Sequence, residues 1–204
     1  MIFDEVVTGF RLAYGGAQEY YGVTPDLCAI GKSLSGGHPI GVVCGCDEIM
    51  RFAEGIRRLT GEYVSLTGTF SGNPVSCAAA RAVLGELRRP GVYAALFEKG
   101  RRLMLALQAS LDAAGIPAQV TGEPPAFQPW FTAQPVTDHR TAQTADAGLG
   151  ARFAQLLFDR GILKAHEKFF VSTAHTEDDI DCTIAAIEDA VGELERSQTK
   201  GGSE

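Results

Sequence analysis

The sequence lacks the features that direct a protein to a membrane, to nucleic acid or to an oxidising compartment. No apolar run approaches the about 20 residues that span a bilayer, and the opening MIFDEVVTGFR has no signal-peptide pattern. Acids outnumber bases by 25 to 18, a net charge of -7 that argues against binding to nucleic acid or to an anionic membrane surface. The five cysteines are odd in number and irregularly spaced. We therefore expect reduced thiols in a cytoplasmic protein.

Two local clusters could be taken for metal sites. Cys44-Gly-Cys46 has no second pair to complete a metal site, so we interpret it as part of a buried strand without a metal or redox role. Four acids between Glu177 and Asp181 suggest either a cation site or a helix N-terminus capped by Thr176. The helix N-terminus is favoured, because acids stabilise the positive end of the helix dipole. We therefore predict no metal.

The apolar residues make up 45% of the chain, enough to bury a core, and their pattern predicts two units. Short apolar strands at 1–7, 26–30 and 40–46 predict a buried, mostly parallel sheet. Since Ile2-Phe3 start the first strand without a polar lead, the chain is expected to begin inside a domain. Helices at 74–89 and 92–114, followed by alternating strands and helices, predict a smaller α+β unit. The predicted divisions are residues 1–100, 101–196 and a disordered tail at 197–204.

Asp4 and Lys32 are the residues that could carry chemistry. Each follows or ends a predicted strand, so both would lie at the carboxyl edge of a parallel sheet, where open α/β folds bind ligands. Lys32 sits among small residues, which leave room for a bulky ligand, and a partly desolvated lysine can form a Schiff base. Pyridoxal phosphate is a cofactor of this kind, and its ring nitrogen needs a carboxylate partner. From spacing alone, an ordinary surface lysine after a strand stays the alternative.

The longer motifs FDEVVTGFR, YYGVTPDLCAIGKSLSGGHPIG, GTFSGNP and FFVSTAHTEDDID resemble those of the class III, fold type I, pyridoxal-phosphate-dependent aminotransferases. Their order and spacing match over nearly the whole chain. Within the class, GFR and GGAQEYYGVTPDL look most like glutamate-1-semialdehyde 2,1-aminomutase. The resemblance implies the second half of the fold type I large domain, followed by the small C-terminal domain. It also implies a homodimer acting on a small amino acid or amino-aldehyde.

The resemblance implies a role for each matching residue. Lys32 matches the Schiff-base lysine that also moves a proton between substrate carbons, and Asp4 matches the acid that pairs with the pyridinium nitrogen. Val6 matches the apolar residue under the ring. The remaining matches are Gly68 and Thr69, the phosphate contact made to the partner subunit, and Glu167, an acid near the substrate entrance, for which a partly exposed acid before a strand is the alternative.

The departures from the family pattern leave two functions open. The family's long N-terminal half, with its main phosphate-binding turn and the aromatic residue over the ring, has no counterpart in the sequence. SGGHPIG, which contains His38, replaces the aminomutase GGGxPVG, so His38 is either a substrate contact or a loop histidine. We expect either an aminotransferase or aminomutase that is active in a longer form, or a catalytically incompetent fragment that keeps only the family's dimer surface.

Overall fold

The computed structural model describes residues 1–164 and 167–201, with side chains up to residue 197. The chain divides into two compact units, Met1–Tyr93 and Ala94–Glu204. The division falls near the start of a long helix, Val92–Ala113. The predicted boundary between residues 100 and 101 lies inside that helix and stays a prediction.

The first unit is built on a three-stranded sheet of order β1-β2-β3. β1 and β2 are parallel, as predicted, but β2 and β3 are antiparallel. The reason lies in the connection at residues 31–41, which is shorter than the crossover of a dozen or more residues that parallel strands require. The elements are β1 (Ile2–Glu5), α1 (Gly16–Tyr21), β2 (Leu27–Ile30), β3 (Val42–Gly45), α2 (Asp47–Met50) and α3 (Pro74–Leu87), with 3₁₀ turns at Lys32–Ser35, Arg51–Ala53 and Gly55–Leu59.

The sheet of the first unit is open on much of its surface, contrary to the predicted burial. β1 is an edge strand, and Ile2 is 72% exposed. Val43 and most of β3 are also exposed. Apolar sequence alone predicts a covered sheet, but covering requires other elements to pack on it. The buried apolar side chains of this unit are few: Leu12, Cys28, Leu34 and Ala80.

The second unit packs helices on an antiparallel sheet of order β4-β5-β6 and contains most of the buried side chains. Its long helix, α4, presents the predicted leucine stripe to this core, and Gly115 ends it in the left-handed conformation. At Gly100, an added Cβ would lie 2.0 Å from the carbonyl oxygen of Pro124, so only glycine allows this approach. The elements are α4 (Val92–Ala113), β4 (Gln119–Glu123), β5 (Ala126–Trp130), α5 (His139–Ala142), α6 (Ala147–Asp159), β6 (Phe169–Phe170) and α7 (Glu177–Gly201).

Two short helices and one helix end differ from the predictions. The local sequence does not predict α1, because the N–H groups at its N-terminus bond to Glu5, which is 12 residues or more away in sequence. α5 is a single turn closed by a capping box between Asp138 and Thr141. α7 continues to Gly201, into the segment predicted to be disordered, whose last three residues lie outside the described residues.

Candidate active site

Asp4 and Lys32 lie at one edge of the first unit's sheet. β1 and β2 are parallel with Asp4 opposite Ala29, so both strands end at the same edge. Asp4 is the second-last residue of β1, and Lys32 follows the end of β2 by two residues. Both side chains are exposed, and Oδ1 of Asp4 accepts a hydrogen bond of 3.0 Å from the backbone N–H of Val6. The two residues that the sequence singled out, a lysine and an aspartate, thus lie at the same edge of the sheet.

Lys32 has an unusual backbone. Its φ of +45° lies in the left-handed region, which is rare for residues other than glycine and recurs at functional sites. Gly31 before it is buried, and an added Cβ there would lie 3.4 Å from the Ile40 carbonyl oxygen and 3.7 Å from Val6 Cγ1. Lys32 therefore lies in a tight turn. The side chain of Lys32 is exposed in this chain, which differs from the partly desolvated lysine that the sequence predicts.

The loop after β1 is fastened to the lysine turn. The hydroxyl of Ser33 donates a 2.9 Å hydrogen bond to the carbonyl of Gly9. The next carbonyl, that of Phe10, accepts a 3.1 Å bond from the hydroxyl of Tyr93, and Phe10 also has a positive φ, +58°. Burial raises the pKa of Tyr93 to about 12, so this hydroxyl stays a donor at neutral pH. The carbonyl groups of Gly9 and Phe10 thus hold the loop between Asp4 and Lys32 in place through these two hydrogen bonds.

Glu5 is a site-supporting residue that the sequence analysis missed. Its side chain is 1% exposed, and its carboxylate accepts hydrogen bonds from the backbone N–H groups of Ala17 (2.6 Å) and Gln18 (3.1 Å) and from the hydroxyl of Thr8 (3.0 Å). An alternation signal was available: adjacent residues of a strand point to opposite faces, so Asp4 and Glu5 could not both face outward. Glu5 anchors the loop while Asp4 faces the open side.

Gly68 and Thr69 line a second feature of the first unit, an open cavity of about 580 Å³. Gly72 turns the chain with φ +70°, and the Asn73 side chain caps α3 by accepting bonds from the N–H groups of Val75 and Ser76. The cavity therefore contains the Thr69 hydroxyl beside the start of α3, whose first N–H groups bond to Asn73. Its other wall is the Pro39–Val42 segment that follows His38, itself an exposed turn residue.

Glu167 belongs to the second unit and lines a cavity of about 240 Å³. It pairs with Lys168 at 3.3 Å, and its side chain is mostly exposed. Lys164, which the sequence analysis did not select, lines the same cavity beside Trp130 and Phe131. Burial lowers the pKa of Lys164 to about 8, although the charge of Glu167 acts in the opposite direction.

The two clusters considered for metals lie in ordinary structural settings. Cys44 lies in β3 and Cys46 follows it, both exposed rather than buried in a strand. Thr176 and Asp179 form the reciprocal hydrogen bonds of a capping box at the start of α7, which confirms the predicted helix N-terminus. Among the described residues, no group of His, Cys, Asp and Glu side chains could hold a metal ion.

Comparisons with known proteins identify the family. A family model for class-III aminotransferases matches residues 1–191. The glutamate-1-semialdehyde 2,1-aminomutase of Desulfosudis oleivorans is 41% identical over 199 residues, which are 95% of this chain and 45% of the relative. The chain belongs to the aminotransferase class-III family. The aminomutase of Methanopyrus kandleri is likewise 41% identical over 95% of this chain and 45% of its own length.

A solved family structure confirms the predicted fold. The omega-transaminase from Sphaerobacter thermophilus is 32% identical and superposes with a TM-score of 0.84, over 94% of this chain and 43% of the transaminase chain. The chain therefore has the mixed α/β fold of a fold type I transaminase, and it spans less than half the length of these relatives. In the described part of the chain, no helix is both long and apolar enough to cross a membrane.

Proposed function

We propose that this class-III chain takes part in pyridoxal-phosphate-dependent amino-group transfer, as a transaminase or an aminomutase of the glutamate-1-semialdehyde type. The observation that carries the proposal is the register of β1 and β2, which sets an exposed carboxylate and an exposed amine at one sheet edge. The donor set suits the cofactor: an amine for its aldehyde, a carboxylate for its ring nitrogen, and a hydroxyl for its phosphate.

Lys32 and Asp4 are proposed to hold the ring. Lys32 would bind the cofactor through a Schiff base, and its amine, once released, would move a proton between substrate carbons. Asp4 would keep a proton on the ring nitrogen, and Val6 would pack under the ring. When bound, pyridoxal phosphate supplies the electrophilic carbon and the electron-withdrawing ring that this chemistry needs. The positive φ of Lys32 supports the assignment, since strained backbone recurs at functional sites.

Gly68 and Thr69 are proposed to contact the phosphate of the partner subunit in a homodimer. They line the open cavity at the start of α3, where the Thr69 hydroxyl can face an anion. Such a contact could not be completed by one subunit, which is why the dimer is part of the proposal.

The substrate proposed is a small amino acid or amino-aldehyde, with Glu167 near its entrance. Glu167 lines the cavity of the second unit, which is of a size for a small molecule. The second candidate, a fragment without activity that keeps only the dimer surface, is favoured by a different observation: the uncovered sheet of the first unit.

A mixed-dimer experiment tests the function and the dimer together. The chain is fused behind the N-terminal half of the D. oleivorans aminomutase, and Lys32→Ala and Thr69→Ala fusions are prepared separately and then mixed during refolding. Mixed dimers would carry both defects in one site and leave the other site intact, so we expect activity above that of either parent.

Two outcomes would count against the proposal in different ways. An unaltered fusion without amino transfer would favour the inactive-fragment candidate. An active fusion whose mixed variants recover no activity would place Thr69 in the site of its own subunit. A mixture of Lys99→Ala and Thr69→Ala fusions is the matched control, since Lys99 bonds to the His175 carbonyl in the second unit.

A further inference from the structure

Cys28 and Cys44 are directly opposite each other in the antiparallel pair β2–β3. Two residues along, the Cys46 N–H donates a 3.0 Å hydrogen bond to the Asp26 carbonyl, so the two strands stay paired beyond the two cysteines. Directly opposed residues of an antiparallel ladder have Cα atoms about 4.5 or 5.5 Å apart, according to the type of pair. Disulfides join residues whose Cα atoms are about 4.4–6.8 Å apart.

The two thiols also share a face of the sheet, because directly opposed residues point to the same side. The Cys44 sulfur lies toward β2, 3.8 Å from the Cys28 carbonyl oxygen. Cys28 is buried, at 3% exposed, and its sulfur lies 3.7 Å from Nε2 of Gln18.

We propose that Cys28 and Cys44 are an oxidative modification site that closes to a reversible cross-strand disulfide in the presence of a hydroperoxide. The proposal is independent of the amino-transfer function. It differs from our interpretation of Cys44-Gly-Cys46, because the partner of Cys44 is the residue across the ladder and not its near neighbour in sequence.

Exposure assigns the order of the two steps. Cys44 is exposed and reacts first: its thiolate sulfur attacks the peroxide, an S–O bond forms, the O–O bond breaks, and hydroxide leaves and takes a proton. Burial raises the pKa of Cys28 to about 11, so Cys28 is protonated and does not compete with Cys44 for the peroxide. Cys28 reacts in the second step, in which it gives up its proton to the departing oxygen. Its sulfur bonds to the Cys44 sulfur as the S–O bond breaks, and its proton leaves with the oxygen as water. Two thiols lose two electrons in total, and hydrogen peroxide becomes two waters.

The disulfide would enclose residues 29–43, the segment that contains the Lys32 turn. Closing a loop restricts the chain within it. Oxidation would therefore restrain the segment that displays the lysine without altering Lys32 itself.

Peptide mapping tests the site on the 204-residue chain as it is. The reduced chain is treated with one equivalent of hydrogen peroxide, remaining thiols are alkylated, and trypsin is added. Because trypsin cuts after Lys32, Cys28 and Cys44 fall in different peptides. We expect these peptides to be linked in mass spectra and to separate on treatment with dithiothreitol.

Two exposed positions supply the matched variants. Cys44→Ser should abolish the link, whereas Cys46→Ser, on the same tryptic peptide, should leave it unchanged. The proposal is overturned if the unaltered chain gives no link, if the link survives Cys44→Ser, or if mixing with isotope-labelled chain shows that it joins two molecules. Since Cys44 is exposed, its replacement tests the link without disturbing the core.

Discussion

At the scale of single residues, side chains of the same chemical type differ in their exposure and backbone conformation. Asp4 and Glu5 are neighbours in β1, yet one faces the open side of the sheet and the other is buried and anchors a loop. Lys32 differs from Lys168, an ordinary exposed lysine, by a left-handed backbone in a turn fastened to Gly9. Chemical role therefore follows from position in the strand pair and not from residue type alone.

Asp4→Asn should separate cofactor binding from turnover. The amide can fill the same space but no longer holds a proton on the ring nitrogen, so the fusion with the aminomutase N-terminal half should bind cofactor yet turn over about 100-fold more slowly, a loss typical of removing one preorganised electrostatic contact. Cofactor absorbance and steady-state rates measure the two effects. Asp47→Asn, at another exposed acid of this unit, is the control; near-normal turnover in Asp4→Asn would remove Asp4 from the site.

Lys164 should titrate well below an ordinary lysine. Its pKa is lowered to about 8 by burial, so it loses its proton in the folded chain at a pH where the unfolded chain still holds it. The unfolded state then binds more protons between about pH 8 and the unfolded value of about 10.4, and the contribution of Lys164 to stability rises with pH across that window.

Competitive amine labelling across pH measures this titration, with Lys168 as the exposed reference in the same sample. We expect the Lys164 reactivity to reach half its maximum near pH 8. In Lys164→Met, the rise of stability with pH between these limits should be smaller than in the unaltered chain. A Lys164 profile that coincides with that of Lys168 would mean that the side chain is solvated.

At the scale of elements, the sequence predicts regular structure well where the signal is local. The leucine stripe predicts α4, Gly115 predicts its end, and Pro74 predicts the start of α3, all of which are observed. What it does not predict depends on partners distant in sequence, such as the capping of α1 by Glu5. The direction of β3 could have been inferred, because its connection is too short for a parallel crossover.

In the candidate site, too, the sequence predicts the features with a local signal and misses those that depend on distant residues. The order of strands and motifs indicated Asp4 and Lys32, since strand ends are visible in sequence. Glu5 and Tyr93 act through buried hydrogen bonds to residues 12 or more positions away, so no local pattern reports them. Lys164 was missed because only the folded unit shows that it lines a cavity.

Gly100→Ala should destabilise the second unit strongly. A Cβ at this position of α4 would lie 2.0 Å from the Pro124 carbonyl, a backbone atom that cannot move without shifting the turn before β5. We expect a loss of about 3 kcal/mol, the upper range for overpacking.

Urea unfolding measures the change, and Gly192→Ala in α7 is the matched control. Its added Cβ would meet only the flexible guanidinium of Arg196 at 3.4 Å, and alanine favours a helix by up to about 1 kcal/mol. Equal midpoints for the two variants would show that α4 and the Pro124 turn are not packed as described.

At the scale of the whole molecule, the two units differ in how much they bury. The second has a continuous apolar core, whereas the first exposes large apolar side chains, with Leu59 85% and Phe70 67% exposed. β1 is an open edge with unpaired backbone groups, a surface that invites association. Each Å² of apolar surface left in water costs about 25 cal/mol.

The 204-residue chain alone should therefore self-associate. Light scattering at increasing concentration should show growth beyond a monomer or dimer, and addition of the aminomutase N-terminal half should suppress it. Ile2→Lys should also reduce association, because a lysine protects an edge strand, whereas Leu105→Lys on α4 should have little effect. A monodisperse dimer at all concentrations would contradict this expectation.

Chemical labelling can show directly whether Lys32 is the lysine that binds pyridoxal phosphate. The fusion with the aminomutase half is incubated with pyridoxal phosphate, reduced with borohydride and mapped by mass spectrometry, with Lys32→Arg as the variant and Lys168→Arg as its control. We expect a reduced pyridoxyl group on Lys32 of the unaltered fusion. The label should also be present in Lys168→Arg and absent from Lys32→Arg. A stoichiometric label on Lys99, Lys164 or Lys168, with Lys32 unmodified, would contradict this prediction.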